Sequence, residues 1–219
     1  MTALITLAAV LAITYFFGFC YRGASWPKTV IKTLSVALLA MVVFAKGGPL
    51  LLGLALSFCA AGDYLLSRDT EGTFLAGVGA FASGHLLYAA AFLTHSLADP
   101  NLVLTSGRLP LVIGLTLFGI GMAVALFARA GSLRFAVMGY IPIILSMAVA
   151  ALVLPAVGPL GLILPAALLF LLSDTVLASE EFLLPDGHVL HRITPFIVWP
   201  TYWLAQFGFF LGLFWFPMT

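Results

Sequence analysis

Apolar residues occupy eight long blocks of this chain, and only a few polar positions interrupt each block. The blocks cover residues 2–20, 27–45, 49–67, 73–95, 109–129, 134–154, 159–178 and 193–216. A helix that crosses a bilayer needs about 20 largely apolar residues. The pattern therefore predicts an all-α fold, a polytopic membrane helical bundle of about eight transmembrane helices, which forms a single integral membrane domain over residues 1–219.

Prolines agree with these boundaries, because a proline in the first turn of a helix removes an N–H group that has no partner there. Five prolines lie within the first three residues of a block: Pro27, Pro49, Pro110, Pro159 and Pro195. Three others lie inside blocks and predict kinks: Pro142, Pro165 and Pro200.

The composition decides which classes of protein are excluded. Of the 219 residues, 63% are hydrophobic and 8% are charged, and the net charge is +1. An ordinary soluble domain is about 25% charged, so this chain cannot supply the surface of a soluble globular domain. A net charge this small also creates no field that attracts a phosphate backbone, and we expect no nucleic-acid partner.

Basic residues flank mainly the odd-numbered connections between blocks. Six lie beside the first, third, fifth and seventh connections: Arg22, Lys28, Arg68, Arg129, Arg134 and Arg192. Lys46 and Arg108 flank the other connections. By the positive-inside rule, we expect the odd connections in the cytoplasm and both termini outside it, in the cell (inner) membrane.

Two aspartates lie inside apolar blocks, where an ionisable group is costly unless it is paired or hydrated. Their surroundings are Gly62-Asp63-Tyr64-Leu65-Leu66-Ser67 and Ser173-Asp174-Thr175-Val176-Leu177-Ala178-Ser179. On the predicted boundaries, each aspartate lies about 8 Å inside the same end of its helix, at about 1.5 Å per residue. The two similar stretches are four helices apart. They predict a parallel four-plus-four pseudo-repeat in which Asp63 and Asp174 face each other across a cavity.

Further polar side chains lie on neighbouring blocks: Lys32, His85, Tyr88, Tyr202 and Gln206. His85 and Tyr88 are three residues apart, so they share one helix face. Tyr202 and Gln206 are four apart and share another. These positions favour one polar cavity over scattered polar groups.

Each of these residues also has a simpler structural explanation. Lys32 can extend its ammonium group to the membrane interface. His85 can bond a backbone carbonyl in the core. Tyr202 and Gln206 can join two helices by hydrogen bonds without lining any cavity.

The rest of the chain offers few other polar candidates. The first, fifth and sixth blocks contribute little beyond Tyr140 and Ser146. His188 and His191 have a metal-like spacing, but they lie in a loop with only Asp186 nearby. Because no histidine cluster lies inside the predicted membrane region, we expect neither a metal site nor a cofactor.

Three stretches of the chain resemble the YhhN-like family of integral membrane lysoplasmalogenases. They are Ala61-Gly62-Asp63-Tyr64-Leu65-Leu66-Ser67, the pattern Phe81-x-x-Gly84-His85-x-x-Tyr88, and Leu172-Ser173-Asp174-Thr175, followed by Tyr202 and Gln206. Near the second helix the family often has Lys-Pro, whereas here Lys32 is followed by Thr33. The resemblance in length and spacing covers nearly the whole chain.

The resemblance implies hydrolysis of the vinyl-ether bond of a membrane substrate, a lysoplasmalogen, which is a single-chain ether phospholipid. The products are a fatty aldehyde and a glycerophospho-ethanolamine or -choline. This reaction needs a carboxylic acid that is still protonated near neutral pH and an anion beside it. We expect Asp63 and Asp174 to be this catalytic pair, in an order that the sequence does not decide.

The remaining polar residues are then expected to orient water or to bind the head group: Lys32, His85, Tyr88, Tyr202 and Gln206. The residues alone are equally compatible with a proton-coupled transporter of a small molecule or lipid that uses the same aspartates. A third alternative, a non-catalytic membrane scaffold, predicts that both aspartates tolerate alanine.

Overall fold

A computed structural model describes residues 1–68 and 70–215 of the protein. This part of the chain forms eight α-helices and contains no strand. Their bounds are α1 Thr2–Gly18, α2 Trp26–Ala45, α3 Leu50–Leu65, α4 Glu71–Leu93, α5 Leu109–Phe127, α6 Arg134–Ala150, α7 Ile163–Leu183 and α8 Pro195–Phe214. Five short 3-10 helices lie in the connections: Pro100–Leu104, Gly131–Leu133, Ala151–Val153, Gly158–Leu162 and Val189–Arg192.

The predicted helical membrane bundle is confirmed. Six of the eight helices are long and apolar enough to cross a bilayer when α6 and α7 are counted with the 3-10 helices that adjoin them, as Gly131–Val153 and Gly158–Leu183. The other two, α1 and α3, are shorter, with 17 and 16 residues. Apart from the seventh, the helices begin and end within about four residues of the predicted blocks. The predicted end of the eighth block at residue 216 lies outside the described residues.

Local capping explains two of the helix starts on the side of the odd connections. The Ser25 hydroxyl oxygen accepts a hydrogen bond from the Lys28 N–H at 3.4 Å and begins α2. The Thr70 hydroxyl oxygen accepts one from the Thr73 N–H at 3.2 Å and begins α4. Such caps satisfy backbone N–H groups that a helix start leaves unpaired.

The seventh helix corrects the sequence prediction at both ends. It begins at Ile163, so Pro165 lies in its first turn and is not an interior kink, unlike Pro142 and Pro200. It ends at Leu183, because the helix continues through Ser179, Glu180 and Glu181 after the apolar run has stopped. These polar residues lie in the last two turns of the helix and are partly or fully exposed, so they need no apolar environment.

This longer helix changes the position of the second aspartate. Asp174 lies nine residues before the end of α7 at Leu183, about 13 Å at about 1.5 Å per residue. Asp63 lies two residues before the end of α3 at Leu65, about 3 Å. The prediction that both aspartates lie equally far inside their helices is therefore wrong.

The helices pack as a ring with one addition outside it. Each of α1, α2, α3 and α4 packs against the next, α4 packs against α6, and α6, α7 and α8 follow in order. The last helix, α8, closes the ring by contacting α1, α2 and α3. In contrast, α5 packs mainly against α6 and lies outside the ring, with much of its surface exposed.

Candidate functional site

A cavity of about 500 Å³ lies inside the ring, near one end of the bundle. Seven of the eight helices contribute to its walls, and α5 does not. The lining residues come from the first and third connections, or from the middle of a helix and the half of it that adjoins the first, third, fifth or seventh connection. The cavity therefore belongs to the end of the bundle that carries the larger number of basic residues.

Asp63 lies in the wall of this cavity with a cation beside it. Its side chain is 1% exposed, and the Lys32 ammonium nitrogen lies 3.2 Å from Oδ1. The Tyr202 hydroxyl donates a hydrogen bond to Oδ2 at 2.7 Å. The neighbouring helices α2 and α3 bring the lysine to the aspartate, and α8 adds the tyrosine. Lys32 therefore forms an ion pair with Asp63. The alternative in which its ammonium group extends to the membrane interface requires no such partner.

Asp174 lines the same cavity but has different partners. The Tyr140 hydroxyl donates a hydrogen bond to its Oδ2. The His85 Nε2 lies 3.4 Å from that oxygen and 2.8 Å from the Tyr140 hydroxyl oxygen. With the proton on Nε2, the imidazole donates to Tyr140, and Tyr140 donates to Asp174. A phenol and an imidazole, not a lysine or arginine, therefore hold this carboxyl group.

The two aspartates have equivalent partners in the two halves of the chain. Lys32 from α2 contacts Asp63 on α3, and Tyr140 from α6 contacts Asp174 on α7. The last helix of each half then contacts the aspartate of the other half, through Tyr202 and His85. A parallel repeat of four helices produces this exchange, so the contacts support that interpretation.

Aromatic rings pack against the partners of the two carboxyl groups. The Phe170 ring meets His85 at 4.5 Å and Tyr202 at 5.3 Å between ring centroids. Phe81 packs edge-on against Tyr202 at 5.7 Å. A Cβ at Gly62 would lie 2.6 Å from the Phe81 ring, so only glycine beside Asp63 permits this packing.

Three of the predicted site residues lie behind the cavity wall. Of the seven predicted residues, four line the cavity: Lys32, Asp63, Asp174 and Tyr202. The other three, His85, Tyr88 and Gln206, do not. His85 still contacts Asp174 from behind. Tyr88 and Gln206 instead bond each other between α4 and α8, hydroxyl to Oε1 at 2.5 Å, and both are fully buried.

Two residues of the site were not predicted, because α1 and α6 seemed to contribute little from the sequence. Tyr140 on α6 is central to the Asp174 contacts. Tyr15 on α1 lines the cavity and packs on Trp199 at 4.2 Å between ring centroids. A single tyrosine in an apolar helix carries no unusual burial cost. Tyr140 was therefore noted in the sequence but not assigned to the site, and Tyr15 was not singled out.

The mouth of the cavity carries opposite charges on different helices. Arg22 and Lys28 contribute cations from the first connection and the start of α2. Glu180 and Glu181 contribute carboxylates from the end of α7. His191, in the last connection, lies with Nδ1 3.2 Å from Glu180. The hydrogen bond with Glu180 raises the pKa of His191.

The described residues, 1–68 and 70–215, contain no group of three or more His, Cys, Asp or Glu side chains arranged to hold a metal ion. His188 and His191 lie in the connection between α7 and α8, where His191 bonds Glu180. The polar groups that contact the Asp63 and Asp174 carboxyls are an ammonium, two phenols and, from behind the cavity wall, an imidazole.

Comparison with known proteins identifies a family for this chain. No solved structure matches the chain. The model of the YhhN family matches residues 27–213, from the first turn of α2 to the last turn of α8. That match includes both aspartates and all of their described partners. The chain therefore belongs to the YhhN family.

Proposed function

We propose that the protein hydrolyses the vinyl-ether bond of lysoplasmalogens and releases a fatty aldehyde and a glycerophospho-ethanolamine or -choline. The observation that carries this proposal is the difference between two carboxyl groups in one cavity. Asp63 is paired with an ammonium group, whereas a phenol and an imidazole hold Asp174. Membership of the YhhN family supports the same class of reaction.

Hydrolysis of a vinyl ether begins with a proton transfer to carbon. An acid protonates the β-carbon of the double bond, and the positive charge that results is shared between the α-carbon and the ether oxygen. Water then adds to the α-carbon and loses a proton to a base. The hemiacetal hydroxyl then gives up its proton as the bond between the α-carbon and the glycerol oxygen breaks. That oxygen takes up a proton, and the products are the aldehyde and the free glycerol hydroxyl. The enzyme needs one acid and one anion.

The partners of the two carboxyl groups support one assignment of these roles. The Lys32 ammonium lies 3.2 Å from Asp63 and compensates the negative charge of its carboxylate. Asp174 has no such cation among its described partners, and both contacts engage Oδ2. We assign Asp174 as the acid, with Oδ1 carrying the proton that is transferred. Asp63 is the anion that stabilises the oxocarbenium ion and accepts a proton from water.

The charges at the mouth suit the head group of the proposed substrate. A phospho-ethanolamine or phosphocholine group carries a negative phosphate and a positive amine. Arg22 and Lys28 offer partners for the phosphate, and Glu180 and Glu181 offer partners for the amine. Such a division of charge favours a zwitterion over a purely anionic head group.

Aldehyde release from purified protein tests the proposal. The protein in detergent receives a 1-alkenyl lysophospholipid, its saturated 1-alkyl ether analogue, or a 1-acyl lysophospholipid. We expect aldehyde from the vinyl ether alone, since only its double bond can be protonated to an oxocarbenium ion. Folded protein that releases no aldehyde overturns the proposal. Substrate-dependent proton flux in sealed vesicles would then favour the transporter alternative.

A further inference from the structure

A second, apolar opening reaches Asp174 from the outer side of the ring. This crevice has a volume of about 60 Å³ and lies between α5, α6 and α7. Its walls include Phe118, Met122, Ile141, Leu145 and Leu171. Apart from the polar atoms of Asp174, Tyr140 and Thr175, the lining is apolar.

The crevice and the polar cavity meet at one short stretch of wall. Four residues line both of them: Val137, Tyr140, Asp174 and Ala178. Asp174 therefore has charged and polar surroundings on one side and apolar side chains on the other. This is unusual for a carboxyl group in a membrane, which ordinarily faces only the polar interior of a bundle.

The position of α5 places the crevice at the lipid boundary. This helix lies outside the ring, and its outward side chains Leu117 and Val124 are 63% and 74% exposed. Phe118, in the crevice wall, is itself 40% exposed. In a bilayer, alkyl chains surround these residues, so the crevice connects the lipid phase to Asp174.

We propose that this crevice holds the first carbons of the substrate's alkenyl chain while its glycerol and head group occupy the polar cavity. The inference rests on the proposed function, which supplies the occupant. A lysoplasmalogen has one polar and one apolar part, and the reacting bond joins them. The protein has one polar and one apolar space, and Asp174 lies where they meet.

This placement also orients the double bond for protonation. The β-carbon that receives the proton lies on the chain side of the ether oxygen. With the chain in the crevice and the glycerol in the cavity, that carbon lies at the shared wall, beside the carboxyl group. The crevice volume of about 60 Å³ holds only the beginning of a chain, so the remainder extends among the lipids outside α5.

Photo-crosslinking tests the chain path without relying on turnover. The probe is a saturated 1-alkyl lysophospholipid ether with a diazirine on the fourth carbon of its chain. We expect crosslinks at Met122, Phe118 and Leu145 that excess unlabelled ether abolishes. Labels at Leu117 and Val124 measure contact with bulk lipid and should resist this competition. Competable labels at Phe74 and Phe182, which line the polar cavity and not the crevice, would instead overturn the inference. The absence of competable labelling in the crevice would also overturn it.

A pair of substitutions on α5 gives a second test. Met122→Trp fills the crevice, and Leu117→Trp adds a similar bulk on the outward face of the same helix. The substrates are a hexadecenyl lysolipid and the ethenyl ether of the same head group, which has no chain beyond the double bond. We expect Met122→Trp to lower kcat/KM at least tenfold for the long chain and less than threefold for the ethenyl ether.

The control variant and the wild-type protein distinguish a failure of the crevice inference from a failure of the proposed function. Leu117→Trp should behave as wild type with both substrates. If Met122→Trp affects both substrates equally or matches Leu117→Trp, the chain does not use the crevice. If wild-type protein cleaves neither substrate, the proposed function fails, and a competable crosslink in the crevice still shows where an alkyl chain binds.

Discussion

Lys32 and Tyr140 are each the seventh residue of their helices, α2 and α6, and each contacts the aspartate on the helix that follows. The backbone positions are equivalent, but one side chain brings a positive charge and the other a neutral hydroxyl. This single difference gives the two halves of the site different chemistry. It is the reason for assigning Asp63 as the anion and Asp174 as the acid.

Replacing the acid should stop the reaction without unfolding the protein. Asp174→Asn keeps the shape of the side chain but removes the transferable proton, and we expect at least a 100-fold fall in kcat, as for loss of a general acid. Asp63→Asn should lower kcat as well, because it removes the stabilising anion. Aldehyde release measures both, and thermal unfolding in detergent checks the fold. Full activity in Asp174→Asn would contradict the assignment.

The ion pair between Lys32 and Asp63 should contribute strongly to the stability of the fold, and the effect of losing one partner should depend on whether the other is present. Lys32→Met leaves the Asp63 carboxylate buried without a cation, which typically costs about 3–5 kcal/mol. Lys32→Met combined with Asp63→Asn removes both charges and should recover most of that loss. Thermal unfolding of the single and double variants forms the cycle. Additive effects would mean that Lys32 reaches the interface and does not pair with Asp63.

Tyr140 should act as a positioning residue for Asp174. Tyr140→Phe removes the hydroxyl that joins His85 to the carboxyl group, so we expect kcat to fall about tenfold while KM stays within twofold. Ser146→Ala, on the same helix but bonded only to the backbone oxygen of Ile143, is the control and should leave both constants unchanged. A rise in KM with an unchanged kcat would assign Tyr140 to substrate binding.

The acidic side of the cavity mouth should select the amine of the head group. The double variant Glu180→Gln and Glu181→Gln should lose about five- to tenfold in kcat/KM for the ethanolamine substrate and little for an alkenyl glycerophosphate, which has no amine. Glu71→Gln is the control, because Glu71 accepts a hydrogen bond from Ser132 and does not line the cavity. Equal losses with both substrates would show that the carboxylates do not bind the amine.

The buried pair of Tyr88 and Gln206 should stabilise the bundle and have little role in turnover. Tyr88→Phe leaves the buried Gln206 oxygen without its donor, which costs about 1–3 kcal/mol. We expect a lower unfolding temperature, with kcat within threefold of wild type in folded protein. A loss of kcat above 100-fold at unchanged stability would return these residues to the reacting centre, as the sequence prediction had it.

The charged residues at the centre of the site were predictable because charge is costly in a membrane. Lys32, Asp63 and Asp174 stand out in any apolar block, and each one requires a partner or water. Their pairing was not predictable, because it depends on which helices are neighbours in the ring. The interpretation that placed Tyr88 and Gln206 with the aspartates had no measure of depth along the helices.

Two other features were not predicted, each for a different reason. The end of α7 was missed because Glu180 and Glu181 interrupt the apolar run but not the helix. Tyr140 was noted but not assigned to the site, because one phenol in an apolar helix is ordinary. Its partners His85 and Asp174 are 55 and 34 residues away in the chain. Only the packing of α4, α6 and α7 brings the three together.

For the proposed hydrolysis, the one-ended cavity separates the fates of the two products. All of its lining residues adjoin the odd connections, so a water-soluble product leaves toward the solution on that side alone. A long-chain aldehyde has no reason to follow, because the bilayer dissolves it better than water does. A hydrolase with this geometry exports one product into a single aqueous compartment and deposits the other in the membrane. Vesicles that contain the protein in one orientation should therefore accumulate glycerophospho-amine on only one side of the bilayer.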